Sequence, residues 1–531
     1  MPTKARRVNG TDIAKAGGLL PLIGSLVESL RANNMETKET SAMLLRSLTE
    51  QAPLSEATKG EGDSRRGRRS NASLIVEAGG VAPLVDLLAT SSSATAVTCA
   101  LSAIANLAAG SSEYQAAIVA AGGVPRISTQ LRVGDAATQA AAAAAMASIS
   151  ELTSTQGPFV KAGTAPSLVA LLKAGGITQQ VQAAQALANL ATGNSEAQQV
   201  MAGCGAVQAL LSLLDVGKAQ ATAAYALQRL AEGNAANRAA IASSDGPRKM
   251  VALLGVVHVG TQANAAAALA ALASGADHVQ QNAVARVGGI RPLLALVGSR
   301  YPTAQRSAIT ALAMLARGNT PNQDSIVEMG GLVPLLRITH LESDYSSAVR
   351  APAVLALAEI ARHNQKNQTM ISSSEGAVLS LCDLLRDSKS PEVEAEVSGA
   401  IWALTEDHAA NKEAFSQAIA ALVGQLVLAE GRMDHAYENS SCALTSLAFD
   451  NANNLAQIIP LLVELLTEES TTQGRAAGIL WRIARDNPRH ELIIAKVCQM
   501  PRCTAMHACP GHFALCAHFV VRVHRPEIWL H

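Results

Sequence analysis

The stretch "IVEAGGVAPLVDLL" at residues 75–88 is apolar and has two adjacent glycines, with a proline three residues after the second. Related phrases recur along the chain. Clear ones begin at Ile13, Ile118, Phe159, Met201, Ile241, Val284 and Ile326, and three degraded ones follow near "SEGAVLSLCDLL", "AIAALVGQLV" and "AQIIPLLVELL". Such self-similarity indicates a repeat architecture rather than one large core.

The spacing of these copies is regular. The position equivalent to Pro83 falls at residues 21, 83, 126, 167, 209, 249, 292, 334, 380, 421 and 460, so successive intervals are 62, 43, 41, 42, 40, 43, 42, 46, 41 and 39. A period near 42 residues therefore runs through eleven copies, and only the first interval departs far from it.

A second phrase lies between the copies, as in "AQALANLATGNS" at 184–195 and "AITALAMLARGN" at 308–319. Its apolar residues recur at spacings of three and four, which predicts an amphipathic helix. The glycine after it is a helix stop, since glycine accepts the left-handed conformation. Each unit is thus predicted to hold a short helix, a Gly-Gly corner, a second helix that begins near the proline, and a longer third helix.

The Gly-Gly phrase is interpreted as a corner and not as a phosphate-binding loop. "AGGVAP" at residues 78–83 lacks the Gly-x-Gly-x-x-Gly spacing, and no strand precedes it. Two helices that turn sharply at close approach need glycine for its conformational freedom.

Composition limits the other possibilities. The 531 residues are 49% hydrophobic but only 2% aromatic, and the formal net charge is zero. Because Lys and Arg do not outnumber Asp and Glu, no nucleic-acid partner is expected. We find no apolar run long enough for a transmembrane helix, no secretory signal, and proline instead of the myristoylated glycine at position 2.

The cysteines at positions 99, 204, 382 and 442 are scattered through apolar segments and are expected to be small buried residues in a reducing compartment. We therefore expect a cytoplasmic or nuclear protein. The oligomeric state is not indicated.

No catalytic constellation is apparent. Asp407-His408 and Asp434-His435 are adjacent pairs near helix ends, and nothing places a nucleophile beside them, so solvated loops are the favoured interpretation. We expect no enzymatic activity and no cofactor.

The unit of about 42 residues, with its Gly-Gly corner and its "ALANLA" helix, resembles the armadillo repeat over about residues 10–497. This resemblance implies an all-α fold, a right-handed superhelix of about eleven three-helix units whose third helices line a groove. It also implies a non-catalytic scaffold or adaptor for protein or peptide partners. One unit cannot bury its apolar face alone, so neighbours stack and share a core.

The nuclear-import adaptors of this family carry Trp, and Asn four residues later, on their third helices to hold a basic peptide. In this chain the equivalent position on the third helices holds Asn in only two repeats, as Asn106 and Asn189. No Trp lies four residues before it. Each Asn either binds a peptide or bonds within its own repeat. Trp402 and Trp481 stand one residue before this position and are expected to pack or to lie at the rim.

Tyr225 and Arg229 share a helix face and are the best central contact, although surface cover is an equal alternative. A mixed polar and apolar groove is predicted rather than a strongly basic one. The groove candidates are Asn106, Gln185, Asn189, Tyr225, Arg229, Glu359 and Arg482.

Two other functions remain open at this point. The first is a divergent nuclear-import adaptor that binds basic signal peptides. The second is a substrate-recruiting component of a ubiquitin ligase assembly, which would need a catalytic partner chain because this chain shows no catalytic domain.

Two segments depart from the period. Residues 49–73, "TEQAPLSEATKGEGDSRRGRRSNAS", are polar and are predicted to be a disordered insertion, with Ser70 after "RRGRR" as a possible phosphosite.

The other is 498–531, a Cys/His-rich tail that follows the array predicted for 1–497. It contains Cys498, Cys503, Cys509, Cys516, His507 and His512, but their spacing is not that of a zinc site, and no metal is expected. The tail is interpreted as disordered or as a gene-model artefact, in which case further repeats would be missing.

Overall fold

A computed structural model describes residues 19–50, 70–275, 278–427, 434–466, 471–485, 489–490, 493–494 and 496. All regular secondary structure in these residues is helical. The chain divides into two compact units, Met1–Leu253 and Leu254–His531. The all-α architecture of stacked three-helix repeats is confirmed in each unit.

The first unit contains sixteen described helices. They are α1 (Leu19–Ser29), α2 (Met35–Glu50), α3 (Asn71–Glu77), α4 (Val81–Thr90), α5 (Ala94–Ala108), α6 (Ser112–Ala120), α7 (Gly123–Val133), α8 (Ala136–Ile149), α9 (Thr153–Lys161), α10 (Ala165–Ala174), α11 (Ile177–Ala191), α12 (Ser195–Gly203), α13 (Ala206–Leu213), α14 (Gln220–Ala231), α15 (Ala235–Ala242) and α16 (Gly246–Leu253).

The second unit continues the pattern with fifteen described α-helices and one 3-10 turn (Ser416–Ala418). The helices are α17 (Val259–Ala273), α18 (His278–Arg286), α19 (Ile290–Val297), α20 (Pro302–Ala316), α21 (Thr320–Glu328), α22 (Leu332–Thr339), α23 (Ser347–Ala361), α24 (Gln365–Ser372), α25 (Ala377–Asp387), α26 (Pro391–Thr405), α27 (Ala409–Ala414), α28 (Ile419–Val427), α29 (Asp434–Ala448), α30 (Ala452–Leu465) and α31 (Thr471–Ala484).

The Gly-Gly corner works as predicted, but its two glycines have different roles. Gly79 adopts φ +72°, which an L side chain rarely accepts. Gly80 has ordinary φ, but a Cβ there would lie 2.8 Å from Ile75 Cγ2 and 2.9 Å from Ile75 O. One glycine therefore turns the chain, and the other lets the first and second helices approach closely.

The third helices form the spine of each unit. In the first unit α2, α5, α8, α11 and α14 pack on one another in succession, and in the second unit α17, α20, α23, α26, α29 and α31 do the same. Alanines make this close stacking possible: Ala142, Ala143 and Ala145 of α8 are fully buried. Few aromatic residues are therefore needed to fill the core.

A buried amide ladder ties the first and third helices together in six of the repeats. Gln323 of α21 donates from Nε2 to Glu359 O at 2.8 Å and to Arg362 O at 3.1 Å, the last carbonyls of the third helix of its own repeat. These carbonyls have no partner inside the helix, so the glutamine satisfies them. Equivalent bonds to the third helix come from Gln115, Gln156, Gln198, Gln281 and Gln368.

The boundaries of the predicted insertion at 49–73 are wrong. Thr49 and Glu50 complete α2, and residues 71–73 begin α3. Ser70 caps that helix, because its hydroxyl accepts a hydrogen bond from Ser73 N at 3.1 Å. Residues 51–69 of the predicted insertion, and the tail at 498–531, lie outside the described residues.

The last described repeat differs from the others. Its first two helices are joined into one, α30, which carries Pro460 inside it and has no Gly-Gly corner. This explains why the eleventh copy of the sequence phrase is degraded.

No single described helix is long and apolar enough to cross a membrane. The bent pair α3 and α4, which meet at 78°, passes the same test together by length and composition alone.

Candidate partner-binding groove

The two candidate asparagines bond between repeats. Asn189 is 7% exposed, and its Nδ2 donates to Ala147 O of the preceding third helix at 2.8 Å. Asn106 is half-buried and donates to Thr49 Oγ1 at 3.1 Å, again in the preceding repeat. The amide groups of both asparagines therefore donate to the preceding repeat, whereas Asn189 Oδ1 accepts within its own repeat. Binding of a peptide by either residue stays a prediction.

The three other candidates in the first unit form contacts within their own helices or at the helix ends. Gln185 donates to Asn189 Oδ1 at 3.1 Å. The Arg229 guanidinium lies over the Tyr225 ring at 4.9 Å and pairs with Glu232 at 2.9 Å. Tyr225 and Arg229 thus share a face, as their spacing predicts, and both are half-buried.

Glu359 in the second unit is a buried carboxylate, only 5% exposed. It lies 3.3 Å from Arg317 Nε and 3.7 Å from Arg362 Nε, and Arg362 in turn lies over the Trp402 ring at 4.7 Å. The candidate Glu359 therefore belongs to a network that links the third helices α20, α23 and α26.

The histidines of the two adjacent Asp-His pairs contact hydroxyl and amide groups. His408 caps α27, where its Nδ1 accepts from Asn411 N at 3.2 Å, and its Nε2 lies 2.9 Å from Thr369 Oγ1. His435 Nε2 lies 3.3 Å from Asn439 Nδ2, whereas the side chain of Asp434 is outside the described part. Asp407 has φ +52°, a conformation that Asp tolerates better than most residues.

A cavity of about 470 Å³ opens between the ends of α26, α29 and α31 in the second unit. We call it the third-helix cavity. Trp402 and Phe449 give it aromatic walls, and small side chains of α29 complete the lining, namely Cys442, Thr445 and Ser446. Phe449 is 53% exposed, so a large apolar surface faces solvent beside the cavity.

Charged side chains surround these aromatic walls. The lining includes the cations Lys412, Arg482 and Arg485 and the carboxylates Glu406 and Asp407. Arg482, a predicted groove residue, donates to Ser441 Oγ at 3.1 Å. The lining of the cavity is thus a mixture of aromatic, small polar and charged side chains.

The sequence predicts that both tryptophans pack or lie at the rim. Trp402 is half-buried, lines the cavity and carries Arg362 over its ring, and Trp481 is 45% exposed. The recurrence of Trp402 and Trp481 at one repeat position was the available signal.

The cysteines follow the expectation only in part. Cys99 and Cys382 are buried, but Cys204 and Cys442 are half-buried. Among the described residues no group of three or more His, Cys, Asp or Glu is arranged to hold a metal ion. The tail cysteines and histidines lie outside that part of the chain.

Comparison with known proteins agrees with this geometry. The model of the Armadillo/beta-catenin-like repeat matches residues 69–109, which contain α3 to α5. The crystal structure of an engineered protein from the Northeast Structural Genomics Consortium is 31% identical over 80% of this chain and 98% of its own length, with a TM-score of 0.65. The chain belongs to the armadillo-repeat family.

A second engineered protein from the same consortium is 29% identical over 48% of this chain and 99% of its own, with a TM-score of 0.42. No curated protein matches the sequence. The armadillo-repeat fold is that of protein-interaction scaffolds, and it generally binds protein ligands.

Proposed function

We propose that this armadillo-repeat protein is a non-catalytic scaffold whose partners dock on the third helices of the second unit. The third-helix cavity carries this proposal. It combines aromatic surface with charged groups at one place, which is the composition of interface anchor sites. The partner is proposed to be an extended or helical peptide segment.

The first unit supports a smaller contribution. Its asparagine amides are used between repeats, and Arg229 is stacked on Tyr225 and paired with Glu232. The Tyr225–Arg229 pair remains a proposed secondary contact.

A nuclear-import adaptor is the less favoured alternative. Such an adaptor needs open tryptophan faces for lysine side chains. Here Arg362 lies over Trp402 at 4.7 Å and Arg485 over Trp481 at 5.3 Å, so the chain's own cations occupy one face of each ring. A labelled lysine-rich signal peptide that binds at moderate salt would restore this alternative.

Recruitment of substrates to a ubiquitin ligase would use the same groove with an added catalytic chain. Reproducible co-purification of ligase subunits with the full chain would favour it. A cytoplasmic or nuclear location is part of both proposals and is checked with a fluorescent fusion.

Affinity purification of the full chain, followed by mass spectrometry, tests the scaffold proposal. Partners should be lost when Phe449→Ala and Trp481→Ala are combined, because the partner then loses both exposed rings. Since the rings are exposed, their removal leaves no void in the core. Val333→Ala is the matched control, since Val333 is exposed on the second helix α22. Partners retained by the double variant, or lost equally in the control, would contradict the proposal.

A further inference from the structure

The buried amide ladder has an exception at Lys412. In the tenth repeat this lysine of α27 stands where Gln323 and Gln368 stand in the two preceding ones, and its Nζ donates to Phe449 O at 2.8 Å. The side chain is only 5% exposed. A neutral donor has thus been replaced by a buried ammonium at the cavity wall.

The ammonium group is incompletely satisfied. Besides forming the hydrogen bond to Phe449 O, Nζ lies over the Phe449 ring, whose centre is 5.0 Å away. It forms no ion pair with a described carboxylate. An ammonium has three donors, so two find no hydrogen-bond partner among the described residues. Burial lowers the pKa of Lys412, and the more distant Asp450 and Asp407 only partly oppose this.

The other charges of the cavity determine what can be bound there. Three cations (Lys412, Arg482, Arg485) face two carboxylates (Glu406, Asp407), which leaves a formal charge of +1. Glu406 is already close to His363 Nδ1, at 3.2 Å. A ligand group with one negative charge balances the +1 charge of this lining, whereas a doubly charged phosphate would leave a net negative charge in the cavity.

We propose that the third-helix cavity binds a carboxylate side chain of a partner peptide, with an adjacent apolar or aromatic residue against Trp402 and Phe449. Lys412 supplies the buried donors, and Arg482 supplies a guanidinium at the edge of the cavity. The inference rests on the proposed scaffold function and adds the chemistry of the ligand. A charge-assisted hydrogen bond to a buried ammonium is stronger than one between neutral groups.

The test uses the full chain and four pools of labelled twelve-residue peptides. The central residue is Glu, Gln, Lys or phosphoserine, and the flanking positions are drawn from Phe, Leu and Ala. The key variant is Lys412→Gln, which restores the ladder residue of neighbouring repeats and so keeps a donor to Phe449 O. Thermal unfolding of this variant verifies that the fold is retained, and Lys366→Gln, an exposed lysine of the preceding first helix, is the control.

The Glu pool is expected to bind about tenfold more tightly than the Gln and Lys pools, which corresponds to one charge-assisted hydrogen bond. Lys412→Gln should remove this preference but leave the binding of the Gln pool unchanged. The control Lys366→Gln should keep the preference for the Glu pool. Three results would overturn the carboxylate proposal but not the scaffold. They are equal binding of the Gln or Lys pool, tighter binding of the phosphoserine pool, and a Glu preference that survives Lys412→Gln. Absence of binding by every pool to the unaltered chain counts against both.

Discussion

Amide side chains decide much of the packing at the scale of single residues. Gln368 is buried and donates to Ala403 O at 2.9 Å and Glu406 O at 3.1 Å, so it satisfies the end of α26 directly beside the cavity. The sequence period did not reveal this ladder, because its position holds Arg238 in one repeat and Lys412 in another. A polar residue at this place in every first helix from the third repeat to the tenth was nevertheless a readable signal.

Replacement of Gln368 by Leu should lower the free energy of unfolding by about 2 kcal/mol, because two buried carbonyls lose their donor. Gln365→Leu on the same helix is the control and should change it little, since Gln365 is exposed. Urea denaturation followed by circular dichroism measures both. Equal effects of the two substitutions would show that the ladder bonds do not contribute.

Two cysteines should differ in reactivity. Burial raises the pKa of Cys382 to about 12, so its thiol stays protonated at neutral pH. Cys442 is half-buried and lines the cavity. Iodoacetamide should therefore alkylate Cys442 in the folded protein well before Cys382, as measured by peptide mass spectrometry. Modification of Cys382 at an equal rate would contradict its burial.

Helix corners account for most of what could be predicted at the scale of elements. The Gly-Gly phrase predicted the break between α3 and α4, and the glycine after the third helix predicted its end: Gly193 and Gly318 have φ +65° and +62°. His363, Asp407 and Asp450 take this left-handed position in the later repeats. Asp and His adopt positive φ more readily than most residues but far less often than glycine, so these three helix ends carry a weaker sequence signal.

Substitution of Gly193 by Ala should destabilise the first unit by about 1 kcal/mol, since the cost lies in the backbone alone. No atom lies within 4 Å of the added Cβ. Gly157→Ala, at an equally open site inside α9, should instead stabilise by about 0.5–1 kcal/mol. Thermal unfolding compares the pair, and the same sign for both would refute the conformational explanation.

The repeat period established the fold class of the whole molecule, because stacked units must bury their apolar faces against neighbours. The period did not locate the candidate site, since a regular array makes every groove position look alike. The third-helix cavity arises where the array becomes irregular: Lys412 replaces a ladder glutamine, Asp407 and Asp450 replace glycines, and α30 joins two helices. Those departures are visible in the sequence only once the regular positions are known.

Photo-crosslinking tests the docking of partners on the third helices of the second unit most directly. The photoreactive residue p-benzoylphenylalanine is placed at position 449 or, as a control, at position 333 on α22, in the full chain. Both positions are exposed, at 53% and 71% respectively. Partner peptides should crosslink at position 449 and not at 333. Crosslinking at 333 alone, or equally at both positions, would contradict the account.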